Sequence, residues 1–175
     1  MFKNNATGEI LKEHYDLLHI VPPQSPPQVI KESPLVDAAG FVEVDKGTLQ
    51  HLRYPNVFGL GDCLNIPCAK TAAAIFSQSP VLVHNVDQFL AGKPVNGIYN
   101  GYGSCPLFVG GTKLMLAEFL YGGVPSETFY KNQEVPRTEF YYMKKEAMPY
   151  AYWNYVPKGR WYGCRVFAPP SFETK

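Results

Sequence analysis

Long apolar runs are missing from this 175-residue sequence. None approaches the roughly 18 to 20 uninterrupted apolar residues that a helix needs to span a bilayer. An excess of either charge is missing too: 16 Lys and Arg against 15 Asp and Glu give a net charge of +1. That balance makes no general electrostatic case for nucleic acid as a partner. The four cysteines, Cys63, Cys68, Cys105 and Cys164, form no paired Cys-x-x-Cys set, which argues against a structural zinc site. The four histidines are scattered without an i, i+4 pair, and each reads as structural or surface. The opening "MFKNNATGEILKEHYDLLHI" has no basic start followed by an apolar core, so neither a secretory signal nor a mitochondrial leader is read there. Internal repeats and low-complexity tracts are absent as well.

What is present is a globular inventory. Hydrophobic residues make up 46% and charged residues 18%, with Tyr 12 and Phe 11 giving an aromatic-rich content. The 15 glycines and 16 prolines imply many turns. "EILKEHYDLLHIVPP" passes from polar to apolar, and Tyr15 to Val21 reads as a strand that stops at two prolines. A Pro-rich connection follows. "FVEVD" then alternates as a half-buried strand, and the segment up to Arg53 is expected to pair with it. "NVFGLGD" reads as a short apolar strand. After it, "AKTAAAIFSQSPVLVHNVDQFLAGK" is built from helix formers, with a Gly at its far end. Pro80 predicts a kink or a division into two pieces. Two strands, Ile98 to Phe108 and Lys113 to Leu120, are expected to be joined by "VGGT". In the tail, Phe140, Met143, Ala147, Ala151 and Tyr155 stand at helical spacing, while Pro149 and Pro157 limit it to short helices.

The most chemical stretch is "PNVFGLGDC", residues 55–63. A strand ending in Gly-Asp directly before a helix matches the nucleotide sites of α/β sheets, where ligands lie beyond the carboxyl ends of strands. Glycines at 59 and 61 let the backbone approach a ligand closely. The Asp62 carboxylate can accept hydrogen bonds from sugar or ribityl hydroxyls. Lys70, at the start of the helix, adds positive charge where such a ligand would end. The same residues also read as a plain turn in which Asp62 caps the helix.

Taken together, "HIVPPQSPP", "VDKGTLQHLRYPNVFGLGDC", "KTAAA", "YNGYGSCPL" and "MPYAYWN" resemble the mitochondrial type of sulfide:quinone oxidoreductase, in order and to about Arg165. The resemblance implies the α/β C-terminal portion of a flavoprotein with two dinucleotide-binding, Rossmann-like domains, with a small strand pair and C-terminal amphipathic helices. It divides the chain into 1–97, the C-terminal part of the FAD-binding domain; 98–137, a strand pair carrying the redox cysteine; and 138–175, a membrane-associating tail. It implies FAD as cofactor, with Asp62 as the ribityl ligand, Gly61 beside it, and Lys70 against the flavin ring. The Gly-x-Gly-x-x-Gly segment that cradles the FAD pyrophosphate is not found in these residues. The chain is therefore expected to correspond to the C-terminal part of the enzyme.

The cysteines admit two readings. Cys63 and Cys68 have a Cys-x4-Cys spacing that also occurs in redox disulfides, though here it follows a Gly-Asp motif rather than a first nucleotide-binding segment. Cys105, in "GYGSCPL", lies at a tight bend and reads as either an inert strand cysteine or a reactive one. The resemblance assigns Cys105 as one of two redox-active cysteines, with its partner outside this sequence. It implies that hydrogen sulfide attacks there, that a persulfide forms, that ubiquinone takes the electrons, and that sulfite or glutathione accepts the sulfur. Alternatives are a non-catalytic fragment or a related flavin-dependent NADH:quinone oxidoreductase.

The tail sets eight Tyr and Trp residues among Lys144, Lys145, Lys158 and Arg160. Aromatic bodies next to cations suit a bilayer headgroup layer, and equally a Tyr-rich cap over a core. The resemblance implies the former, with peripheral attachment to the mitochondrial inner membrane. "CRVFAPPSFETK" departs from the family's apolar terminus, which implies a weaker last anchor.

Overall fold

Two antiparallel strand pairs and one long helix organise the chain. The computed structural model describes residues 1–162, 165, 167–168 and 171–172, so Cys164 and much of "CRVFAPPSFETK" lie outside the described residues. In element order these are β1 (Phe2–Lys3), β2 (Ile10–Leu11), α1 (Gln28–Lys31), α2 (Ala72–Leu90), β3 (Gly103–Gly110), β4 (Lys113–Phe119), α3 (Thr138–Tyr142) and α4 (Met148–Asn154).

The segment from 35 to 66 is a set of short extended pieces held by single bridges. Val36 pairs with Val42, Val44 with His51 and Gln50 with Phe58, all antiparallel, and Val42 pairs with Leu64 in parallel. The alternation of "FVEVD" turns Val42 and Val44 inward. They meet Leu49, Leu64, Ile66, Val81, Tyr99 and Tyr102 in the main core. His51 is structural, as expected: its Nε2 donates to the Leu35 carbonyl at 2.9 Å, while Nδ1 accepts from the Arg53 and Tyr54 amides. Tyr15 to Val21, expected as a strand, is exposed and pairs with no strand among the described residues. Apolar alternation alone does not make a strand. The backbone also needs a neighbour to bond.

Thr71 starts α2, its hydroxyl accepting from the Ala74 amide at 3.3 Å. Ala74, Gln78, Val81 and Asn85 form the buried face at helical spacing. Pro80 does not divide the helix, so of the kink or division expected the division is overturned: one helix runs through it from Ala72 to Leu90. Proline removes one backbone donor, and packing on both sides of the residue keeps the helix going.

The predicted strand pair is present, with β3 shorter at its start than expected. Gly110, Gly111 and Thr112 all have positive φ in the connecting turn. Cys105 stands opposite Ala117, Leu107 opposite Met115 and Gly103 opposite Phe119, so these six share one face. The other face carries Leu114 and Leu116, which pack on Phe140 from α3. Residues 138–154 form a nearly continuous helical run whose middle, Met143–Ala147, is a π-helix. Pro149 sits in the first turn of α4, where its missing N–H costs little. No described helix is long and apolar enough to cross a membrane.

Candidate functional site

Gly61 turns the chain with φ 87°, a left-handed conformation that glycine reaches without a β-carbon penalty. Its amide donates to Gln78 Oε1 at 2.7 Å, which ties the bend to the buried face of α2. Asp62 follows in the turn, exposed and with no hydrogen-bond partner among the described residues. It does not cap α2, because Thr71 holds that position. Of the two sequence readings of Asp62, the cap is thus overturned. The carboxylate lines a cavity of about 220 Å³ together with Cys63, Phe41 and the Gln24–Pro27 segment.

Lys70 lies closer in than the sequence suggests. Its Nζ donates to the Leu64 carbonyl at 2.6 Å and sits 5.0 Å from the centre of the Phe41 ring. Phe41 also lines the Asp62 cavity, so one aromatic ring links the ammonium to the cavity, whose lining does not include Lys70 itself. One of the three Lys70 donors is used by Leu64, and the others keep the capacity to meet an electron-rich group.

Cys105 is a free and exposed thiol on β3. Two residues before it, Gly103 packs on Ala69, the neighbour of Lys70. Two residues of strand span about 7 Å, so the fold carries Cys105 out from the Lys70 loop on the face that Gly103 presents to it. Cys63 and Cys68 are also free and half-buried. Cys63 Sγ donates to the Leu60 carbonyl at 3.6 Å, and Cys68 Sγ accepts from Gln78 Nε2 at 3.8 Å. Each thiol is held by its own local partner, and no disulfide joins them.

Sequence reasoning overlooked Gln78, Phe41 and the Gln24–Pro27 wall. Gln78 carried a signal, since it is a polar residue on the apolar stripe of an otherwise amphipathic helix. The groups present fit a flavin cofactor's needs: a carboxylate without a partner among the described residues for hydroxyl donors, a left-handed glycine beside it, and a cation against the Phe41 ring.

These features define a mixed helix–strand protein with an exposed thiol on a hairpin and a glycine–aspartate bend that, unlike the strand-to-helix junction the sequence suggested, ends no strand and stands nine residues before the Thr71 cap of α2. No family profile matches the chain. Its sequence is 47% identical to the mitochondrial sulfide:quinone oxidoreductase of Schizosaccharomyces pombe over 98% of the chain and 39% of that protein. It is 48% identical to that of Mus musculus over 92% of the chain and 37% of the relative. The corresponding values for Dictyostelium discoideum are 51%, 89% and 35%. The chain is therefore a homologue of the mitochondrial sulfide:quinone oxidoreductases, an enzyme family, and it matches their C-terminal part. It spans 35–39% of the length of the curated relatives it matches. Among solved structures, a chain of the Tetrahymena thermophila mitochondrial ATP synthase F1Fo composite tetramer is similar, with a TM-score of 0.74 and 30% identity. That likeness covers 95% of this chain and 39% of the other.

Proposed function

We propose that this chain supplies the flavin-facing loop and the sulfur-bearing hairpin of an FAD-dependent sulfide:quinone oxidoreductase, as the C-terminal portion of a Rossmann-like flavoprotein. One observation carries the reading. Asp62 is a carboxylate without a hydrogen-bond partner among the described residues, beside a left-handed glycine, at a cavity whose Phe41 ring lies 5.0 Å from Lys70 Nζ. Asp62 accepts hydrogen bonds from a sugar or ribityl hydroxyl, and Gly61 lets the backbone come close. Lys70 places positive charge where an electron-rich ring would gain negative charge. FAD, when bound, supplies the two-electron acceptor between sulfur chemistry and ubiquinone.

Cys105 provides the sulfur. Hydrosulfide attacks a disulfide between Cys105 and a second cysteine of the intact enzyme. A new S–S bond forms on Cys105 as a persulfide, the old S–S bond breaks, and the other sulfur leaves as a thiolate. The terminal sulfur then passes to a small nucleophile such as sulfite or glutathione. Exposure of the Cys105 thiol supports this role, since exchange needs access. The tail supports a seat on the mitochondrial inner membrane: Tyr142, Tyr150, Tyr152 and Trp153 are exposed near Lys144 and Lys145.

A second reading has one observation behind it. The similar Tetrahymena chain belongs to a mitochondrial ATP synthase assembly, so a scaffold of this kind also serves as an assembly component. Flavin content separates the two. Asp62→Ala in the intact protein is expected to weaken FAD binding at least tenfold in Kd, the loss of about 1.4 kcal/mol, and so to lower the flavin retained through purification. Unchanged flavin content would refute the enzymatic role assigned to Asp62, and a colourless unmodified protein would favour the assembly component.

A further inference from the structure

We infer that Gln78 is a positioning residue that holds the Gly61–Asp62 bend in the shape a flavin requires, an inference that rests on the flavin reading above. Gln78 is 1% exposed and lies on α2, far along the chain from the bend. Both ends of its amide are used. Oε1 accepts from the Gly61 N–H at 2.7 Å, and Nε2 donates to Cys68 Sγ at 3.8 Å. Gly61 is half-buried and its amide has no backbone acceptor among the described residues, and an N–H shut away from water without a partner is costly. Gln78 removes that cost only while Gly61 keeps its bend. Asp62 is the next residue, so its backbone leaves from that bend.

The bond does not stand alone. The Tyr99 phenol lies beside Cys68, and burial first, then the contact with Cys68, pushes its ionisation up. Tyr99 Oη donates to the Tyr102 carbonyl at 2.6 Å, and Tyr102 Oη donates to Glu118. Glu118 stands opposite Ser104, the residue before Cys105. A line of polar contacts thus runs from the Gly61 bend, through Gln78, Cys68, Tyr99 and Tyr102, to the hairpin that carries Cys105. Gln78 is where the bend joins it.

Gln78→Met keeps the length of the side chain and removes both hydrogen bonds, whereas Gln78→Glu keeps an oxygen for Gly61. In the intact protein, Gln78→Met is expected to weaken FAD binding about tenfold by titration, and Gln78→Glu to restore it to within about twofold. In the flavin-free protein, hydrogen exchange at the Gly61 amide should quicken about tenfold in Gln78→Met and stay slow in Gln78→Glu. FAD binding by Gln78→Met equal to the unmodified protein, while Asp62→Ala loses it, would overturn the inference and leave the flavin reading standing. Normal binding by Asp62→Ala would overturn both. If Gln78→Met does not fold, the unmodified protein decides: a fast-exchanging Gly61 amide overturns the inference and a protected one supports it.

Discussion

Gly103 packs against Ala69 so closely that a β-carbon at 103 would stand 2.9 Å from that of Ala69 and 3.3 Å from its carbonyl oxygen. This contact seats the hairpin on the loop before α2 and thereby relates Cys105 to Lys70. Gly103→Ala should cost about 1–3 kcal/mol in chemical denaturation. Gly103→Ala with Ala69→Gly should recover part of that loss, because the opposing methyl is gone. Equal destabilisation in the single and double variants would show that the contact does not govern the seat.

Glu118 is the best-partnered buried carboxylate in the hairpin. It accepts from Tyr102 Oη, from the Thr128 amide at 2.9 Å and hydroxyl at 2.8 Å, and from Gln133 Nε2 at 2.8 Å. Those donors lose their acceptor together in Glu118→Leu, which is expected to destabilise by about 3 kcal/mol or more. Glu118→Gln should cost less, since one oxygen remains. Urea denaturation of both variants checks the order, and a Leu variant as stable as the Gln variant would contradict it.

Asp45 gives the turn before Leu49 a pH dependence. The Thr48 amide, then its hydroxyl and the Gly47 amide, bond the carboxylate and hold its pKa below the ordinary 3.8, against a smaller opposing effect of burial. A lowered folded-state pKa means stability that is present above 3.8 and is lost as the pH falls through the folded value. Asp45→Asn should therefore lower Tm at neutral pH, with the gap to the unmodified protein closing in acid below that range. A gap that stays constant with pH would contradict the assignment.

The exposed aromatic residues of the tail give a binding prediction. Tyr150→Ser with Trp153→Ser should reduce co-sedimentation of the intact protein with anionic liposomes several-fold, at roughly 1 kcal/mol or more per buried aromatic body. Their exposure means that the change should leave Tm nearly unmoved. Undiminished partitioning would remove the tail from the membrane account.

Much of this architecture was legible because local rules carry it. The helix formers after Ala69 announce α2, though not its Thr71 cap, the "VGGT" turn announces the hairpin, and the alternation of Val42 and Val44 announces the core face. The Asp62 bend was legible from Gly61 for the same reason. What stayed hidden depended on neighbours distant in sequence. Lys70 turns to the Leu64 carbonyl and Phe41, Gln78 reaches back to Gly61, and Tyr15–Val21 has apolar side chains without a strand to bond. The division expected at Pro80 does not occur because packing along the helix outweighs one missing donor. The reactive role of Cys105 rested on resemblance, since a lone exposed thiol carries no periodicity to read.

The most direct test adds sulfide anaerobically to the purified intact protein and follows the blue absorption of its flavin. The account predicts rapid bleaching in the unmodified protein, with recovery on addition of a ubiquinone analogue. Cys105→Ser should retain the flavin and bleach at least a hundredfold more slowly, an added barrier of about 2.7 kcal/mol. Full-speed bleaching by Cys105→Ser, or an unmodified protein that holds flavin and ignores sulfide, would contradict it.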